Sequence, residues 1–293
     1  MEARQQVRHG VIAGLSAYLV WGLVPVFFKQ LQGVPANEII AHRVLWSLLF
    51  MTAVLALGPG FKPALAVARI PAQLSRIAVA AALVLVNWLI FVYGVNTGRI
   101  LETSLGYFIL PLFNVALGVF VLKEKLRRLQ WLAVFLAASG VAIEAFRVGG
   151  LPWISLALAL TFGLYGLMRK RLQLDAASGL FLETVCITPF AALYLLWLGG
   201  SGQAHFGQTT RLDLLLVSTG VVTAVPLLLF AIAARRLPLN MMGFLQYLAP
   251  SLSFAVAVLI YDEPLSLARA AGFIVIWIGL AVYSIDLLRQ SQK

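Results

Sequence analysis

An all-α polytopic membrane protein, ten transmembrane helices folded as two inverted five-helix repeats with both termini cytoplasmic, is the fold class that this sequence predicts. Three observations predict it. The chain has 293 residues, 61% hydrophobic and 11% charged, with a mean hydropathy of +0.95; a soluble domain carries about 25% charged residues and needs them to keep its surface wet. The apolar residues come in runs of about 20, the length that crosses a hydrocarbon core of roughly 30 Å, and the short alternating segments of a β-barrel are absent. The third observation is that one stretch is written twice. Met241–Asp286 repeats Glu102–Arg147 at a shift of 139, which lays Pro111 on Pro250, Glu124 on Glu263, Gly140 on Gly279 and Ala142 on Ala281. Pro and Glu are scarce in this chain, so their recurrence with the same 13-residue gap marks an internal duplication.

The net charge of +11 does not call for nucleic acid, because the Lys and Arg residues sit in short loops beside apolar spans, where they orient a membrane protein. With the N-terminus inside, sixteen fall on the cytoplasmic side, Arg127, Arg128, Arg169, Lys170 and Arg171 among them; five fall outside, and Arg43 is left within a span. Each half holds five spans, an odd number, so the second half enters the membrane upside down relative to the first. The halves are read as residues 10–147 and 151–288. Such an inverted pair has a pseudo-two-fold axis in the membrane plane and a site near the midplane between the halves.

The first span, residues 10–30, follows Arg4 and Arg8 with no small-x-small cleavage site, so it reads as an uncleaved helix. It carries Tyr18, Trp21 and Gly22, a ring surface beside a close-packing backbone, and a kink candidate at Pro25. The second span, 37–58, holds the most expensive residues: Glu38 and His42 share a face with Trp46, and Arg43 lies one step round. An Arg deep in a membrane helix costs about 2.5–3.5 kcal/mol on insertion scales, so it faces the bundle or a wet cavity. Arg43 is either an anion or carboxylate clamp, with Glu38 or His42 carrying a coupled proton, or a brace between helices, with Glu38 capping its helix. Asn87 and Trp88 of the third span, 74–96, face the same space.

The fourth span, 101–122, carries Tyr107, Pro111, Asn114 and Gly118 at helical spacing, and the fifth, 129–147, follows the basic connector KEKLRR. The sixth, 151–169, echoes the first, with Phe162, Tyr165 and Gly166 answering Tyr18, Trp21 and Gly22 at a shift of 144. The seventh, 177–198, contains Glu183, a proton site or a bridge to a helix end, and lone Cys186, which has no internal disulfide partner. Gly199–Asp213, rich in Gly, Gln and Thr, reads as solvated linker before the eighth span, 212–234. The ninth, 239–261, repeats the fourth, with Gln246, Pro250, Ser253 and Ala257 on one face and Tyr247 beside it; the tenth covers 267–288. Polar, kink-forming and small residues on one face suit helices that line a pathway and bend there, at Pro111 and Pro250; close packing is the alternative. Glu124 and Glu263 sit at helix ends, where capping or salt bridging is expected.

His9, His42 and His205 fall in a terminus, a span and a loop, and HExxH, GxSxG and the phosphate-binding loop are absent. No metal, cofactor or enzyme activity is therefore expected. Eight motifs in order, AYLVWG, EIIAHRVLWS, NW, ETSLGYFILPL, KEKLRRLQWLAV, YGLMRK, ETV…P and GFLQYLAP, resemble the RarD branch of EamA-type transporters, in the drug/metabolite transporter superfamily. The resemblance runs from about Gly10 to Asp286. It implies ten helices as two inverted EamA repeats, the bacterial inner membrane, and export or exchange of small solutes through a cavity lined by the first four helices of each half.

The expected function is alternating-access transport of small metabolites or drug-like solutes of amphiphilic or aromatic character. Tyr18, Trp21, Trp88, Tyr107, Tyr165 and Tyr247 supply ring surfaces; Arg43, Asn87, Asn114 and Gln246 orient polar groups. The expected partners are a small-molecule solute and membrane lipid, with no nucleic acid and a homodimer left open. A membrane scaffold or sensor, binding lipid or a protein through basic cytoplasmic loops, is the reading from a different class. The duplication argues against it, since a scaffold needs no pseudo-symmetric pathway.

Overall fold

The computed structural model describes residues 2–58, 60–97, 99–148, 153–172, 174–260 and 267–291, and all regular structure among them is helical. The elements are α1 (Glu2–Lys29), α2 (Ala36–Leu57), α3 (Lys62–Ala68), α4 (Pro71–Asn96), α5 (Ile100–Phe120), α6 (Arg128–Val148), α7 (Trp153–Arg171), α8 (Ala176–Gly200), α9 (Thr210–Arg236), α10 (Leu239–Gln246), α11 (Leu248–Leu259) and α12 (Leu267–Ser291). By length and composition α1, α2, α4, α8 and α9 contain segments able to cross a membrane, and shorter apolar helices lie at Leu105–Phe120, Arg128–Ile143 and Ala271–Asp286. Large apolar side chains, Phe135, Phe190, Leu193 and Trp197 among them, are at least 60% exposed. So broad an apolar exterior is stable only against lipid, and the protein is an integral membrane protein.

Local chemistry sets several boundaries. Asp175 opens α8 by accepting from the Ser178 amide at 2.9 Å, and Thr209 opens α9 by accepting from Leu212. Arg235 and Arg236 close α9, where positive charge suits the carbonyl end of a helix. The ninth span of the sequence reading is broken into α10 and α11 at Tyr247. Pro250 accounts for the break: it has no N–H for the carbonyl four residues back, Gln246, and its ring crowds that oxygen. Pro25 and Pro111 lie inside α1 and α5 without interrupting them. The short helix α3 was not foreseen; Pro63 in its first turn is compatible with helix initiation.

The principal packings are α6 on α12, α5 on α7 and α10, α1 on α9 and α11, α2 on α8 and α9, and α4 on α7. Glycines permit the closest crossings. A Cβ at Gly140 would stand 2.8 Å from the Gly272 carbonyl, and one at Gly279 would stand 2.9 Å from that of Ala133, so the two duplicated glycines both serve the α6–α12 contact. Buried Tyr18, Tyr165 and Phe230 form an aromatic core with Trp21 and Phe162.

One sequence reading needs correction, and one residue is placed differently from its neighbours. The stretch between α8 and α9 is not a plain solvated linker: the His205 amide donates to Glu38 at 2.7 Å, and the Phe206 ring stacks on His42 at 5.1 Å. Buried Glu38 would otherwise be an unpaired charge, and this loop satisfies it. Arg169, counted with the basic cytoplasmic flank, is 3% exposed and turns inward to an ion pair with Glu183.

Candidate functional site

Arg43 is the eighth residue of α2, on the side that meets α4 and α9. Its Nε donates to Thr223 Oγ1 of α9 at 2.9 Å. The guanidinium carbon lies 4.7 Å from the Trp88 ring of α4 and 5.2 Å from the Phe28 ring of α1, an arrangement in which the negative faces of the rings partly balance the cation. Among the described residues no carboxylate lies within 4.0 Å of Arg43, and its two Nη nitrogens have no acceptor. Trp88 and Thr223 also line a small cavity between α2, α4, α8 and α9, with Ser47, Glu183, Thr184 and Leu227. Its volume of about 10 Å³ is near the lower bound for a single water.

Glu183 closes another side of that cavity. It accepts from Arg169 Nη1 at 2.9 Å and from the Tyr165 hydroxyl at 3.1 Å, and Arg169 Nη2 donates to the Ala176 carbonyl at 3.1 Å. The carboxylate is thus compensated within its own half. Buried ions need such compensation, since each loses several kcal/mol of hydration on leaving water.

Glu38, His42 and Trp46 form a ladder along α2. The Trp46 Nε1–H donates to His42 Nδ1 at 3.2 Å, which directs the proton of a neutral ring to Nε2. That nitrogen is 3.9 Å from Glu38 and has no hydrogen-bond partner. The carboxylate of Glu38 is engaged instead by the amide and Nδ1 of His205. The ladder is capped by the α8–α9 loop and does not touch Arg43's guanidinium.

The remaining expected residues divide between helix contacts and open surface. Asn114 Nδ2 of α5 donates to Gln246 Oε1 of α10 at 2.7 Å, so the duplicated stripes face each other directly. Tyr247 donates to the Phe108 carbonyl at 3.3 Å. Asn87 donates to the Leu158 carbonyl and to Thr161 Oγ1, joining α4 to α7. Tyr107 is 41% exposed, packs edge-on against Phe91 and lies within electrostatic reach of Arg43. Tyr18, Trp21 and Tyr165 belong to the aromatic core and do not line the small cavity. Glu124 accepts from the Leu239 and Asn240 amides at 2.7 and 3.0 Å, capping α10; Glu263 lies outside the described residues. Sequence reasoning missed Phe28, Ser47, Thr223 and the His205–Phe206 pair, which sit in apolar runs or a polar loop with no local signal. Among the described residues, no group of three or more His, Cys, Asp or Glu could hold a metal ion.

The model of the EamA-like transporter family matches this chain twice, over residues 8–145 and again over 149–285. The chain belongs to that family. Within it the chain is of the RarD type: it is 43% identical to "Protein RarD" of Salmonella typhi and to "Protein RarD" of Escherichia coli, each over all of this chain and at least 99% of theirs. It is also 45% identical to an "Uncharacterized transporter" of Vibrio cholerae, over 98% of this chain and 95% of that one. A solved structure titled "Crystal structure of protein" superposes with a TM-score of 0.72 at 20% identity, covering 94% of this chain and 97% of the other. That likeness concerns the fold alone. The EamA-like chain is accordingly a membrane transporter of the drug/metabolite superfamily.

Proposed function

We propose that the protein is a secondary transporter of small metabolites or drug-like solutes in a bacterial inner membrane. Its ten spans form two inverted repeats that work by alternating access, with net export or exchange. The observation that carries this reading is that the principal helix contacts map onto one another when the halves are exchanged. Let α1 correspond to α7, α2 to α8, α4 to α9, α5 to α10 with α11, and α6 to α12. The α1–α9 contact then answers α7–α4, α5–α7 answers α11–α1, and α2–α9 answers α8–α4. The contacts α2–α8, α5–α10 and α6–α12 answer themselves, so a pseudo-two-fold axis would pass through them. The cavity lies between α2, α4, α8 and α9, drawn equally from both halves, where a substrate site of an inverted-repeat transporter belongs.

In this state the centre is closed. The cavity admits about one water, and the Asn114–Gln246 hydrogen bond joins α5 to α10. A solute would enter only when these helices separate on one side. The testing experiment is flux in proteoliposomes holding the purified full-length protein, screened with labelled aromatic metabolites, amino acids and amphenicols, with and without a pH gradient. Saturable flux is the expected result, and its response to the gradient assigns coupling. Absence of flux across the panel, with folded and correctly inserted protein, would refute the reading.

A further inference from the structure

The charges around the centre do not balance. Glu183 is held by Arg169 and Tyr165, and Glu38 is held by His205. Arg43 has ring faces, the Thr223 hydroxyl and the Tyr107 phenol around it, and no counter-ion among the described residues. The two halves differ at this point. Arg43 and Glu183 are each the eighth residue of corresponding helices, α2 and α8. The partner of Glu183 is Arg169 of α7; at the 144-residue shift relating α1 to α7, the first half has Pro25 there. The second half therefore satisfies its buried charge internally, while among the described residues of the first half no carboxylate pairs with Arg43.

We propose that the solute itself supplies the missing charge: it is a small organic monoanion whose carboxylate seats on the Nη nitrogens of Arg43. This rests on the transport reading and adds the substrate class. The planar guanidinium presents two parallel N–H donors that match the two oxygens of a carboxylate. Its Nε is already fixed by Thr223, which leaves the Nη end for a ligand. Trp88 and Thr223 touch both Arg43 and the cavity, so an anion bound there has its body beside Trp88, Val84, Leu180, Ile187 and Leu227. These are apolar walls. The solute is thus a carboxylate with a compact apolar or aromatic body; Glu183, the acid among these lining residues, is already paired with Arg169 and offers no free partner to an ammonium group.

The test uses four probes of one shape: 3-phenylpropionate, its neutral amide, zwitterionic phenylalanine and the cation phenethylamine. Binding to the purified full-length protein is read by tryptophan fluorescence, and flux is read in proteoliposomes. We expect the carboxylate to bind at least about tenfold more tightly than the amide, the size of effect that a charge-assisted bidentate contact gives over a neutral one. Arg43→Gln is expected to abolish that preference, and Arg43→Lys to restore part of it, since a point charge lacks the paired donors. Thr223→Val, which frees Nε, is expected to weaken carboxylate binding more than amide binding and so to narrow the preference. It supplies the answer if Arg43→Gln fails to fold.

Equal binding of carboxylate and amide, or a carboxylate preference untouched by Arg43→Gln and Thr223→Val, overturns the proposal. Saturable flux of phenylalanine, amide or amine with none of the carboxylate overturns it and leaves the transport reading standing. Arg43-dependent carboxylate binding without flux of any probe does the reverse. No binding and no flux of any probe counts against both.

Discussion

Glu124 offers a perturbation whose cost can be worked out from the structure. Helix α10 begins after Pro238, which supplies no side-chain cap, so its first amides depend on an acceptor from elsewhere. Glu124, in the connector between α5 and α6, gives one oxygen to Leu239 N at 2.7 Å and the other to Asn240 N at 3.0 Å. Loss of a capping acceptor costs about 0.5–2 kcal/mol; loss of a negative charge at a partly buried helix start adds about 0.3–1 kcal/mol. Glu124→Ala should therefore lose about 2 kcal/mol, a fall of roughly 4–8 °C in the unfolding midpoint at the sensitivity of larger domains. Glu124→Gln keeps one acceptor and turns an NH₂ towards the other amide, so it should recover less than half. A Cβ at Gly118 would stand 2.5 Å from the Glu124 carboxylate and 3.2 Å from Asn240 N, so Gly118→Ala should mimic the loss while leaving the acid in place. Thermal unfolding in detergent, followed by size-exclusion recovery, reads all three. A midpoint for Glu124→Ala within about 1 °C of wild type, less than any named destabilising mechanism would give, refutes the capping role.

Three further outcomes are expected. Arg169→Met and Glu183→Leu should each cost about 3–5 kcal/mol by stranding a buried charge, and the double substitution should be milder than either; equal losses in all three, by the same unfolding assay, would contradict this. Gly220→Ala should cost about 1–3 kcal/mol, because its Cβ would meet the Trp46 backbone at 2.4 Å, whereas Gly199→Ala meets nothing within 4 Å and should be neutral. Phe206→Ala should uncover the His42 edge of α2, read as faster thiol labelling of a cysteine placed at Trp46 in a chain lacking Cys186. An unchanged labelling rate would mean that the α8–α9 loop does not cover that edge.

Much of the fold could be read from the chain because a hydrocarbon solvent imposes run length and charge placement together. The span limits deviate where a second rule intervenes. Pro250 divides α10 from α11, and Pro63 helps to start α3 in a stretch assigned to a loop. The candidate site was legible where a residue is costly in itself. Arg43 stands out because a membrane makes an arginine expensive, and Trp88 falls beside Asn87 on the same helix. Thr223 and Phe28 have no such signature, since a threonine or phenylalanine in an apolar run costs nothing notable. His205 and Phe206 were hidden for a different reason: a loop residue's role is set by which helix end it reaches, and sequence spacing does not encode that distance.

The duplication also separates scaffold from site. Several residues that match across the halves make helix-to-helix contacts. Gly140 and Gly279 make the same α6–α12 crossing, and Glu124 caps a helix. Pro250 breaks α10 from α11, and its counterpart Pro111 presents its carbonyl 2.5 Å from where a Gly243 Cβ would be. The positions around the cavity do not match: Arg43 faces Glu183's place, Pro25 faces Arg169's, and Ser47 faces Ile187's. On the proposed inverted-repeat reading, a symmetric scaffold rocks about its axis whatever the solute, so both copies keep the packing residues. A small solute without two-fold symmetry cannot be matched by two identical half-sites. Its recognition has to be written in the differences, and beside the cavity Arg43 is a charge of the first half with no counter-ion among the described residues.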